Sequence, residues 1–104
     1  MNIAYKENKD MTEVEIPVCA LDDVCNDRDI TFIKMDIEGS ERQALLGSRK
    51  TIERCKPKLA ISIYHKSEDI WELPDLILQM NRDYTFYLRH YSLASEDTVL
   101  YAIP

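Results

Sequence analysis

Ile30-Thr31-Phe32-Ile33-Lys34-Met35-Asp36-Ile37-Glu38-Gly39-Ser40 decides the fold. Its first eight residues put apolar side chains on both alternating faces, the pattern of a strand buried inside a parallel sheet. Glu38-Gly39-Ser40 breaks that run, and Ser40 with Gln43 has the spacing of a capping box, with Glu41 adding negative charge to the first turn of a helix. The predicted helix turns Ala44, Leu45, Ile52 and Cys55 inward and Arg42, Arg49, Lys50, Glu53 and Arg54 outward. Gly47 bends or splits it, and Pro57 ends it.

Outward from this unit the pattern repeats. Leu59-Ala60-Ile61-Ser62-Ile63-Tyr64 reads as a second interior strand that stops at His65. Asp69 to Met80 reads as a helix with Ile70, Leu73, Ile77 and Met80 on one stripe and Trp71 off it; Pro74 suggests a start there, with Leu73 as cap. Tyr84 to Leu88 is an aromatic strand, Ser92 to Asp97 a polar loop, and Thr98 to Ile103 a final strand. Upstream, Val14, Ile16 and Val18 alternate with Glu13, Glu15 and Pro17, a strand confined to an edge by its proline. Leu21-Asp22-Asp23-Val24 follows as a turn or short helix with Asp22 as cap. Residues 1–12 read as a loose, flexible segment and 13–104 as the folded unit. Strands alternating with helices predict an α/β fold, a partial doubly wound, mainly parallel sheet. The last connection is too short for a crossover, so the final strand is predicted antiparallel.

The chain has 104 residues, 13 basic and 19 acidic, for a net charge of −6. With 45% apolar and 31% charged residues it has the composition of one small globular domain. Only two glycines occur, Gly39 and Gly47, so neither a G-x-G-x-x-G turn nor a P-loop can be assembled. The acidic balance argues against nucleic acid and against an anionic membrane as partners. Without the apolar stretch of a signal peptide or a membrane span, the expected location is the cytoplasm. Cys19, Cys25 and Cys55, odd in number and without C-x-x-C spacing, read as reduced thiols.

Ligands of open parallel sheets bind beyond the carboxyl ends of the strands. Asp36, Glu38 and Ser40 follow the first interior strand there, His65 the second, and Arg89 and His90 the aromatic strand. Lys34, Asp36 and Glu38 repeat every two residues and so share one side. Neighbouring parallel strands lie about 4.8 Å apart, close enough for Asp36 and His65 to meet over a small substrate. The competing structural roles are plain: Glu38 and Glu41 stabilising a helix N-terminus, and His65 bonding to backbone. Tyr84, Phe86, Tyr87 and Tyr91 read as core and sheet surface. D-x-E alone also suits a cation-dependent phosphohydrolase, although no metal-ligand set stands out.

Phe32-Ile33-Lys34-Met35-Asp36-Ile37-Glu38-Gly39-Ser40-Glu41 resembles the K-x-D-x-E-G-x-E signature of the FkbM-type methyltransferases, which use S-adenosylmethionine. Ala44-Leu45-Leu46-Gly47, Ile63-Tyr64-His65 and Tyr87-Leu88-Arg89-His90-Tyr91 are similar to the family in order and spacing, so the likeness spans residues 13–103. The resemblance implies a Rossmann-like domain and methyl transfer to an oxygen of a sugar or natural product. For that reaction Asp36 or His65 is by position the base and Glu38 or Glu41 orients the acceptor, while Arg89 and His90, from their place after the aromatic strand, are read as further substrate contacts. The family's glycine-rich loop and ribose-binding acidic residue have no counterpart in this sequence. The chain therefore resembles the C-terminal half of such a domain, without the first three strands, and is not expected to bind S-adenosylmethionine alone. A strand edge left bare by the missing neighbours predicts a homo-oligomer. The alternative to an enzyme part is a non-catalytic, oligomerising remnant of the fold.

Overall fold

The computed structural model describes residues 2–6, 13–91 and 98–104. Strand β1 (Asn2–Lys6) pairs antiparallel with β2 (Glu13–Pro17), Ile3 opposite Ile16. Part of the segment expected to be loose is thus a strand, with Asn2 directly opposite Pro17. The remainder of that segment, residues 1 and 7–12, lies outside the described residues, as does the polar loop expected over residues 92–97. After the short helix α1 (Leu21–Val24) come β3 (Phe32–Met35), α2 (Glu41–Leu46), α3 (Arg49–Cys55) and β4 (Lys58–Ser62). Helix α4 (Asp69–Met80), β5 (Thr85–His90) and β6 (Thr98–Ile103) complete the order.

The main sheet runs β3-β4-β6-β5. β3 and β4 are parallel, with Met35 opposite Ile61, whereas β6 is antiparallel to both β4 and β5. The predicted antiparallel last strand is present, but it is inserted between β4 and β5. The three strands β3, β4 and β5 still point the same way, while two of the three neighbouring pairs are antiparallel. Adjacency of this kind is a long-range choice that no local pattern encodes.

Side chains alternate across a strand, so Leu59 and Ile61 share one face of β4 with Ile33 and Met35 of β3 and Leu100 and Ala102 of β6, and Ile63 just beyond β4 joins the same cluster. That face packs against Leu45 of α2, Ile52 of α3, and Leu73, Leu76 and Ile77 of α4 in one cluster. β4 is buried from Leu59 to Ser62, as an interior strand should be. β3 is not: Phe32 is 54% exposed and Lys34 is exposed, because among the described residues β4 is its one neighbour. The expectation of burial on both faces of this strand is corrected accordingly.

The helices depart from local expectation in three places. Gly47 does split the first segment, and a Cβ there would sit 3.2 Å from that of Ala20. The Ser40–Gln43 capping box does not form, since Ser40 makes no side-chain cap bond. Asp22 is a cap, but of α3 rather than of its own helix: its carboxylate accepts from the Lys50 and Thr51 amides at 3.0 and 2.8 Å and from Thr51 Oγ1 at 2.8 Å. Finally, α4 begins at Asp69, not at Pro74, and buries Leu76 where the stripe had Ile70, which is 50% exposed. Packing against α2 and α3 carries the helix through the proline, at the cost of one backbone bond.

Candidate functional site

Asp36 follows the last residue of β3, and the chain then reverses through Glu38 (φ 57°) and Gly39 (φ 97°) into α2. Left-handed backbone favours glycine, and Gly39 meets that need. Glu41 closes the turn. Its fully buried carboxylate accepts from the Ile37 amide at 2.6 Å and the Gly39 amide at 3.1 Å. It satisfies two amides of the turn itself, which is why a helix-start glutamate points inward.

Because β3 and β4 run side by side, the segment after β4 emerges beside this turn. Tyr64 donates its hydroxyl to Asp36 Oδ1 at 3.2 Å, and its ring lies 4.0 Å from that of His65. His65 is the centre of the cluster, its side chain 11% exposed. Nε2 lies 3.8 Å from Asp36 Oδ1 and 3.4 Å from Glu38 Oε2, and Nδ1 lies 3.6 Å from Glu41 Oε1. Neither ring nitrogen is reached by solvent or makes a hydrogen bond. Lys66 and His65 both lie over Gly39, within ordinary contact of a Cβ built there.

Nearby acids reinforce the negative field. Asp69, 3% exposed at the start of α4, has its pKa raised by burial and then by the charge of Glu41. The Tyr64 phenol is pushed up by desolvation, by its bond to Asp36 and by that residue's charge. An imidazole ringed by carboxylates can take a proton from a hydroxyl or share a cation with them.

Four of the six residues singled out from sequence, Asp36, Glu38, Glu41 and His65, are therefore brought together. Lys34, Asp36 and Glu38 do not form one continuous row, since β3 ends at Met35 and Glu38 sits on the left-handed turn. His65 is not bonded to backbone. Arg89 and His90 sit on β5, with β6 between them and β4. The Arg89 guanidinium lies 5.9 Å from the Tyr87 ring centre and donates to the Leu88 carbonyl, while His90 Nδ1 is 2.7 Å from Thr98 Oγ1. Tyr64 and Asp69 were missed by sequence reasoning. Tyr64 was visible as the residue before His65; Asp69 offered no signal, because its burial depends on how α4 docks.

Gly39 and Gly47 serve turns, and two concavities among the described residues are lined mainly by polar and charged side chains, with Leu76 in the second. One lies at Asp22, Lys50 and Arg54 and the other at Arg42, Glu72 and Gln79, neither including a member of the His65 cluster. Cys19, Cys25 and Cys55 are free thiols.

Over residues 2–88 the sequence matches the methyltransferase FkbM domain. The chain belongs to the FkbM methyltransferase family. The crystal structure of methyltransferase FkbM from Methylobacillus flagellatus KT is 44% identical to it, with a TM-score of 0.78. That likeness covers 97% of this chain and 25% of the other, so the chain spans about a quarter of that protein's length. No curated protein matches it. FkbM membership carries S-adenosylmethionine dependence as a family property. No helix among the described residues is long and apolar enough to cross a membrane.

Proposed function

We propose that this chain is the acceptor-side part of an S-adenosylmethionine-dependent O-methyltransferase acting on a hydroxyl of a sugar or natural product. In this reading it is the C-terminal half of a doubly wound Rossmann-like domain, with the donor pocket built by residues outside it. The observation that carries the reading is the unbonded imidazole of His65 beside Asp36 at the carboxyl ends of two parallel strands. On the oxygen side of the reaction, an acceptor hydroxyl reaches Nε2 when the exposed Glu38 side chain swings off it, and passes its proton to His65. Asp36, held by Tyr64, and the exposed Glu38 orient that hydroxyl. Glu41 is buried and cannot touch an acceptor, so its part is to fix the turn and the histidine. Arg89 and His90 contact the acceptor only if it extends across β6.

In a longer family protein that carries this segment, His65→Ala should lower kcat/KM about 10²- to 10⁴-fold, the usual worth of a positioned base. Asp36→Asn should act in the same direction, and donor affinity should be unchanged in both. Normal turnover in the two variants would remove the assignment. Calorimetric titration of the 104-residue chain with S-adenosylmethionine should give no binding heat. A second reading, a non-catalytic module that associates with a further chain or copy, draws on the open edge of β3 and its exposed Phe32. A monomer in dilute sedimentation runs would count against that association.

A further inference from the structure

His65 is enclosed by three carboxylates with neither ring nitrogen bonded. A neutral imidazole offers one N–H and one lone pair, so one nitrogen must face carboxylate oxygen as acceptor against acceptor. Charge-assisted N–H···O bonds would close these contacts to about 2.7–2.9 Å. The separations are instead 3.4, 3.6 and 3.8 Å. Two ligands on one tetrahedral ion, each with a bond of about 2.1 Å, lie roughly 3.4 Å or slightly more apart. At Nε2 the contacts to Asp36 and Glu38 thus have the spacing of ligands around one ion rather than of hydrogen bonds, while Glu41 faces Nδ1 and joins the same ion within the 4.8 Å spread of the three ligand atoms.

The composition of the cluster agrees. One oxygen each of Asp36 and Glu41 and one ring nitrogen of His65 lie within 4.8 Å of one another. Glu41 is fully buried and its carboxylate is already fixed by the Ile37 and Gly39 amides, as an oriented ligand should be. Asp36 is held by Tyr64. Glu38, 80% exposed, is free to close over a fourth position. We propose that Asp36, Glu41 and His65 form a binding site for one divalent transition cation of the zinc and manganese kind. Imidazole with two carboxylates suits such ions, whereas calcium and magnesium prefer an all-oxygen shell. With the ion in place His65 is a ligand, and the proton-accepting role in the cluster passes to Glu38.

The site is the one used in the functional reading, but its occupancy is measured without turnover. A failure to bind metal leaves His65 as the base, and a failure of methyl transfer leaves the metal site standing. The test is calorimetric titration of the 104-residue chain with manganese(II) chloride and zinc chloride, paired with histidine ring spectra during the manganese titration. The expected result is one manganese ion per chain, broadening the His65 signals before those of His90. Affinity should fall tenfold or more in His65→Ala and in Asp36→Asn, and remain in the surface variant Glu53→Gln. Glu41→Gln is the less informative variant, since it also opens the turn; Asp36 is half exposed and its substitution leaves the fold in place. Absence of saturable manganese binding below about 1 mM, or binding retained in His65→Ala, would overturn the proposal.

Discussion

Asp22 and Asp69 are both aspartates beside the start of a helix, and their surroundings are opposite. Asp22 reaches across 28 residues to the N-terminus of α3 and accepts three hydrogen bonds. Its burial raises its pKa, but the bonds from Thr51 and Lys50 outweigh that and hold it low. Asp69 is more deeply buried, receives no comparable set of donors, and is pushed up by burial and by Glu41. The first carboxylate holds two helices in register. The second belongs to a crowded cluster of acids around His65 in which polar groups are left unsatisfied. Among the described residues, two of the three buried polar side-chain atoms without a partner are the ring nitrogens of His65, where a ligand would complete them; the third is Asn81 Nδ2 at the end of α4.

Substitution separates the two. Asp22→Ala should cost about 2 kcal/mol, the upper end for losing a helix cap, read as a lower urea midpoint. Gly39→Ala should cost about 1 kcal/mol from its left-handed backbone alone, because the added Cβ meets only ordinary contacts at 3.6 and 3.8 Å. Asp69→Asn should be neutral or stabilising by less than about 1 kcal/mol at pH 7, the reverse sign to Asp22→Ala, since it removes a penalised charge. Arg49→Ala, which breaks an exposed pair with Glu53, should cost only about 0.3–0.5 kcal/mol. Acid titration sharpens the contrast. The Asp22 contribution is present above its ordinary value of 3.8 and is lost as pH falls through its lower folded pKa. The Asp69 penalty disappears as pH falls through its raised folded pKa. The advantage of Asp69→Asn should therefore vanish at a higher pH than the deficit of Asp22→Ala.

The same division marks what was legible in the sequence. Apolar runs and periodicity located β3, β4, α4, β5 and β6, and two-residue alternation with parallel-strand spacing brought Asp36 to His65. These are consequences of local geometry. What escaped was long-range: the insertion of β6 between β4 and β5, the pairing of β1 with β2, and the reach of Asp22 to α3. The capping box failed for a different reason. Glu41 turns its carboxylate back onto the Ile37 and Gly39 amides of the preceding turn, and the Ser40 side chain makes no cap bond.

The placement of β6 also orders assembly in time. Among the described residues β5 joins the sheet through β6 alone, so a ribosome that has released only residues up to β5 exposes a ribbon with no neighbour to zip onto. Each copy waits for its final strand before the aromatic hairpin can close, and until then the Leu59–Ser62 strand shows a second sticky flank. Crowded synthesis should thus favour clumping of nascent chains, and a chaperone that shields this one flank should raise the yield of folded protein.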